Sequence, residues 1–120
     1  MSKSHQLGNW GESMALKFLE MCGFHCLGQQ YRKQTGEIDL IVRRGQDIVF
    51  VEVKTRGPGS LAAPEAWIND LKISRIKKTA RHWILDNPLS EPVNFRFDVI
   101  SVDFSGHNRG VNIRHFSGII

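Results

Sequence analysis

Cysteine, proline and tyrosine are scarce in this 120-residue chain, which has two Cys, four Pro and one Tyr. Cys22 and Cys26 fit neither a disulfide framework nor the Cys-x-x-Cys spacing of a metal site, so both are expected to be buried thiols in a reducing compartment. No apolar run approaches the roughly 18 residues that a membrane span needs, so no membrane partner is expected. Met1-Ser2-Lys3-Ser4-His5-Gln6 leads into no apolar signal region, which makes the cytoplasm the expected location. At 41% hydrophobic residues the chain is too apolar to be disordered, and it carries neither an internal repeat nor a low-complexity tract.

Residues 1–120 are the right length for one domain, and folding at this size buries roughly two-thirds of the unfolded chain's surface. Sixteen Lys and Arg against twelve Asp and Glu leave a net charge of +4. A mildly basic surface is compatible with a polyanionic partner without requiring one.

Residues 9–22 read as a helix, with Trp10, Met14, Ala15, Phe18, Leu19 and Cys22 at helical spacing and Gly23 placed as a C-terminal cap. Residues 24–32 read as a short, uneven strand. Two β-rich runs follow, Glu37 to Val42 and Ile48 to Lys54, joined by a tight connection at Arg44-Gly45-Gln46-Asp47. Residues 56–60 read as a loop. A second helix is expected over 70–86, with Ile73, Ile76, Ala80, Trp83 and Ile84 as its apolar stripe and Asn87-Pro88 as its stop. Strands are expected at 95–102 and 111–116. The order αβββαββ, with a helix long enough to connect parallel strands, points to an α/β fold: a mixed central β-sheet flanked by helices.

The hairpin concentrates charge. A two- or four-residue loop gives the same register, with Asp39 opposite Glu52, Glu37 opposite Lys54 and Ile41 opposite Phe50. Ile38, Leu40 and Val42 then share an apolar face with Val49, Val51 and Val53, and the charges gather at the far end of the other face. Two carboxylates directly opposite, with Cβ atoms about 5 Å apart, repel unless a proton or cation lies between them. A hard divalent cation resolves that repulsion, and Mg²⁺ typically takes one or two carboxylates, waters and a substrate phosphate. The plainer alternative is an ion pair of Lys54 with Glu37 or Glu52 while Asp39 faces solvent. Spacing alone leaves both open.

Asp39 followed by Glu52-Val53-Lys54 resembles the PD-(D/E)xK nuclease motif. The longer string is more specific: Gly8-x-x-Gly11-Glu12-x-x-Ala15, Tyr31-Arg32, Gly36-Glu37-Ile38-Asp39-Leu40-Ile41, Val49 to Arg56, and Arg96-Phe97-Asp98-Val99-Ile100. Together these resemble the YraN family of small bacterial proteins, over about residues 8 to 102. Gln30 is a departure, since the family usually has Asn before Tyr-Arg. The resemblance implies a restriction-endonuclease-like domain, distantly similar to Holliday junction resolvases, that acts as a metal-dependent endonuclease on the phosphodiester bonds of branched or structured DNA. It implies Mg²⁺ as cofactor, with Mn²⁺ as a substitute, and a homodimer if two strands must be cut. Carried over by position, Asp39 and Glu52 become metal ligands together with the carbonyl of Val53, and Lys54 orients or polarises the attacking water. Glu12 resembles an additional acid of resolvase-like members. Near a helix N-terminus it is equally a dipole partner.

The second helix carries Lys72, Arg75, Lys77, Lys78 and Arg81 without an acid between Lys72 and His82. That face is either a solvated surface or a row of phosphate contacts, and Arg56, in the loop expected after the Glu52-Val53-Lys54 strand, joins the nucleic-acid-binding candidates. No role is assigned to any of the five His, and Trp67 and Trp83 are expected in the core. The rival to a nuclease is a non-catalytic nucleic-acid-binding or recombination-accessory module on the same fold.

Overall fold

The structure, a computed structural model, describes residues 3–57, 69–104 and 110–119, with side chains from Leu7 onward in the first stretch. Its elements run α1 (Lys3–Met21), β1 (His25–Lys33), β2 (Gly36–Arg44), β3 (Asp47–Arg56), α2 (Asp70–Asp86), β4 (Asn94–Asp103) and β5 (Asn112–Phe116). The five strands form one sheet in chain order, antiparallel throughout except for the parallel pair β3 and β4. A parallel pair needs a long crossover, and α2 lies within it. The result is an α/β fold consistent with a restriction-endonuclease-like arrangement.

Each helix covers one face of the sheet. Ala15 and Leu19 of α1 pack with Leu40, Val42, Val49, Val51, Ile100 and Val102, while Ala80 and Trp83 of α2 pack with Ile38, Ile41, Ile48 and Phe50. Residues 48–51 are buried without alternation, as expected of a central strand covered on both sides. Trp83 is in the core as expected. Trp67 and residues 58–60 of the expected loop lie outside the described residues.

The helix ends follow local chemistry. Gly23, at φ +93°, closes α1: its N–H donates to Glu20 and that of Phe24 to Leu19, both at 3.0 Å, and the Phe24 and Leu19 side chains meet in the core. Cys22 falls in this turn just past the helix, which makes it exposed rather than buried as the sequence implied, while Cys26 is half-buried. At the start of α2 the Asn69 side chain accepts the Lys72 N–H at 2.9 Å. Asn87 closes its C-terminal end on the Trp83 carbonyl.

The hairpin has the expected register, from Arg44 opposite Asp47 to Leu40 opposite Val51. Gly45 supplies the positive φ, +61°, at the first position of the two-residue turn. The far end of the hairpin departs from expectation. Ile38 packs with Ile41 and Phe50 on the α2 face, not with Leu40 and Val42. The β2–β3 pairing stops after Leu40 and Val51, so the expected pairs of Asp39 with Glu52 and Glu37 with Lys54 do not form, and there the Asp39 carboxylate accepts the Val53 N–H at 2.8 Å. Across the sheet, the β1–β2 register places Gln30 opposite Asp39, and Gln30 has φ +50°. A left-handed residue beside a side-chain-to-backbone bond breaks the two-residue period at this point.

Candidate active site

Asp39, Glu52, Val53, Lys54 and Thr55 line one open cleft with Leu7, Gly8 and Glu12 of α1, about 360 Å³ in volume. The split between β2 and β3 opens its floor, and the close approach of α1 to β3 forms its wall. A Cβ on Gly11 would lie 1.8 Å from Thr55 Oγ1 and 2.9 Å from Thr55 Cβ. Only hydrogen fits there. A Cβ on Gly8 would meet nothing within 4 Å. Gly11→Ala is therefore expected to lower stability by about 1–3 kcal/mol through overpacking. Gly8→Ala should raise it by roughly 0.5–1 kcal/mol, because a helix-interior glycine gives up that much to alanine. Urea unfolding of both variants checks the contrast, and equal effects would show that α1 does not bear on Thr55.

Because α1 begins at Lys3, Glu12 stands well past the first turn, where the helix dipole has faded. The dipole explanation for this acid is therefore set aside. Instead Glu12 Oε2 accepts a hydrogen bond from Gln30 Nε2 at 3.0 Å, and Gln30 also reaches Asn9 Oδ1 at 3.5 Å. The left-handed backbone of Gln30 suits the asparagine usual at this position in the resembled family, since Asn tolerates that region better.

The Asp39 carboxyl is pushed up to about 7, first by burial and then by the charges of Glu12, Glu52 and Glu37, against the opposing pull of the Val53 N–H. A carboxyl in this state gains greatly from a cation. Glu52 is asymmetric: its Oε1 meets Lys72 Nζ at 2.5 Å and Lys54 Nζ at 3.5 Å, while Oε2 is buried with no hydrogen-bond partner. Burial, and then Lys72, lower the Lys54 amine below its ordinary range, partly offset by Glu52. Among the described residues no three His, Cys, Asp or Glu side chains converge as a ready-made metal cluster. The donors are hard oxygens, few in number, with one left unsatisfied. That set suits Mg²⁺, which keeps waters and takes ligands from its substrate.

The remaining candidates divide. Lys72 is drawn to Glu52, and Arg75 lines a neighbouring cleft with Gly36, Glu37, Glu52 and Lys72. Lys77, Lys78 and Arg81 line a shallow cleft on the outer side of α2. Arg56 pairs with Asp103 at 3.7 Å, and Glu37 pairs with Arg32 at 3.2 Å. Sequence reasoning missed the Lys72–Glu52 contact and the Gln30–Glu12 bond. It also missed the cluster in which Arg96, His115 and the Gly118 N–H surround Asp98. Only the Arg96-x-Asp98 spacing, two residues apart on one strand face, was a signal for the last of these. Among the described residues no helix is long and apolar enough to cross a membrane.

Residues 11–102 match the model of an uncharacterised protein family, UPF0102. The chain is 38% identical over 104 residues to a UPF0102 protein of Acinetobacter baumannii, covering 87% of this chain and 78% of the relative. It is 41% identical over 100 residues to one of Geobacter metallireducens, covering 83% and 81%, respectively. With one of Chloroherpeton thalassium it shares 38% identity over 102 residues, covering 85% and 78%.

Proposed function

This chain belongs to the uncharacterised protein family UPF0102, and from that premise we propose that it is a metal-dependent endonuclease acting on branched or structured DNA. The observation that carries this reading is the Asp39–Glu52 floor. Asp39, half-buried with its carboxyl pushed up to about 7, and Glu52, one of whose oxygens is buried without a hydrogen-bond partner, line the cleft that Lys54 and Glu12 also line. Buried acids without compensating cations are expensive, and such perturbed groups concentrate at reactive sites.

Asp39, Glu52 and the Val53 carbonyl would hold Mg²⁺, with Mn²⁺ as a substitute. When bound, the cation makes water more acidic and offsets the charge developing on the phosphodiester. Lys54, with its amine below the ordinary range, takes part in moving or orienting a proton of the attacking water. Glu12, fixed by Gln30, is the additional acid of the site. Arg75 and the outer row of Lys77, Lys78 and Arg81 supply sequence-independent phosphate contacts.

The test is a panel of linear, flapped and four-way DNA incubated with Mg²⁺, with Mn²⁺ and with chelator. Cleavage is expected with either metal and none with chelator. Lys54→Ala should cut about 10²-fold more slowly, the usual scale for losing a positioned proton-transfer or electrostatic group. Tight DNA binding with no cleavage of any substrate would instead make the protein a binding module.

A further inference from the structure

Glu52 joins two clefts. On one side it shares the floor with Asp39, Lys54 and Glu12. On the other it lines a second cleft of about 360 Å³ with Gly36, Glu37, Asn69, Leu71, Lys72 and Arg75. Two ammonium groups approach the same oxygen, Oε1, whereas Oε2 has none. Like charges crowded on one oxygen repel, and Lys54 is also held beside Lys72. Lys54 is on the same strand as Glu52, so its position is set by the sheet. Lys72 comes from the first turn of α2, where Asn69 accepts its backbone N–H, and it lines the second cleft, whereas Lys54 does not. Of the two, Lys72 is the one with the second cleft beside it to move into.

We propose that Lys72 is a displaceable counter-ion of Glu52. Without metal it neutralises the carboxylate, and when a divalent cation binds it swings into the second cleft to meet a phosphate of the nucleic acid. This rests on the metal-site reading above. It makes Lys72 a positioning residue that couples the two ligands: metal frees the lysine for phosphate, and phosphate draws it off the metal's ligand. Such coupling is reciprocal by linkage. Arg75, lining the same cleft, is a second cation for that phosphate.

The experiment is calorimetric titration of Mg²⁺ and Mn²⁺ into wild type, Lys72→Met, Lys72→Gln and Lys72→Arg, each first shown to be folded by its thermal melt. Removing the competing ammonium should tighten metal binding by about tenfold in Lys72→Met and Lys72→Gln, a change of about 1.4 kcal/mol. Lys72→Arg, which keeps the charge, should stay near wild type. In parallel, fluorescence anisotropy of a labelled four-way DNA is measured with and without Ca²⁺, which takes the same kind of oxygen ligands. Ca²⁺ should tighten DNA binding to wild type severalfold and leave Lys72→Met nearly unchanged. Wild-type metal affinity in Lys72→Met and Lys72→Gln would overturn the displacement while leaving the metal site intact. No metal uptake by any variant would overturn both readings together.

Discussion

Asp39→Asn is expected to make the metal-free protein more stable and, at the same time, unable to cleave. The folded Asp39 carboxyl is raised to about 7 from 3.8, chiefly by burial and then by Glu12, Glu52 and Glu37. The folded state therefore holds this proton more tightly than the unfolded chain does. Stability falls as pH rises from about 4 to about 7, and above that window the full penalty is present. Ionising this carboxyl in the folded protein then costs roughly 4 kcal/mol more than in the unfolded chain. Asparagine is uncharged, and its side-chain oxygen still accepts the Val53 N–H. At pH 8 the variant should gain about 2–4 kcal/mol, with a melting point higher by ten degrees or so. The gain should shrink as the pH is lowered toward 4. Saturating Mg²⁺ should reverse the order, because only wild type is then stabilised by ligand. Cleavage should fall at least 10²-fold. Thermal melts at pH 4 and pH 8, with and without Mg²⁺, decide the matter. A variant less stable than wild type at pH 8 would mean that the Asp39 charge is already compensated within the protein.

How much of this was legible in the sequence follows from which forces are local. The bounds of α2 come from an Asn cap, a helical stripe and a closing Asn-Pro, and all three lie in the sequence. The β2–β3 register from Arg44 opposite Asp47 to Leu40 opposite Val51 follows from alternation and Gly45, but the expected pairing of Asp39 with Glu52 lies beyond the last paired residues, where alternation no longer holds. The early start of α1 was hidden because Lys3 to Gly8 holds only one apolar residue, Leu7, and gives periodicity nothing to register. The face of Ile38 was hidden because its cause lies partly across the sheet, in the φ of Gln30, and partly in a side-chain bond to the Val53 N–H. Lys72 sits twenty positions after Glu52 and belongs to a different element. No spacing rule foretells that contact, since it depends on where α2 packs against the sheet. The basic residues of α2 looked like one face in sequence, and the helix separates them. Lys72 and Arg75 turn to the sheet end, and Lys77, Lys78 and Arg81 turn outward.

Asp98→Ala should be as damaging as truncating a core aromatic, and it should act through the fold rather than the chemistry. Asp98 is only 2% exposed, at a point where β4, β5 and the segment after β5 meet. Arg96 Nε reaches its Oδ1 at 3.0 Å, the Gly118 N–H reaches the same oxygen at 2.9 Å, and His115 Nε2 lies 2.6 Å from Oδ2. Next to this, the Ile119 N–H donates to Phe97 O at 2.9 Å. Burial works to raise the Asp98 carboxyl, but the bonds from His115, Arg96 and Gly118 outweigh it and hold it below the ordinary carboxylate range. The stability it contributes is thus present above about pH 4 and is lost as acid titrates the folded carboxyl. An aspartate beside a histidine resembles half of a hydrolytic triad. Here, however, the carboxylate is enclosed, and its bonds tie three segments together. Removing it takes the carboxylate from His115, Arg96 and the Gly118 N–H at once, and breaking a buried charge network of this kind costs about 3–5 kcal/mol. Asp98→Asn, which keeps the shape, should lose roughly half as much. Hydrogen exchange should show Gly118 and Ile119 opening first, with β2 and β3 following only at global unfolding. If Asp98→Asn instead kept full stability while DNA cleavage collapsed, Asp98 would belong to the reacting groups, and the site centred on Asp39 and Glu52 would have to be redrawn to include it.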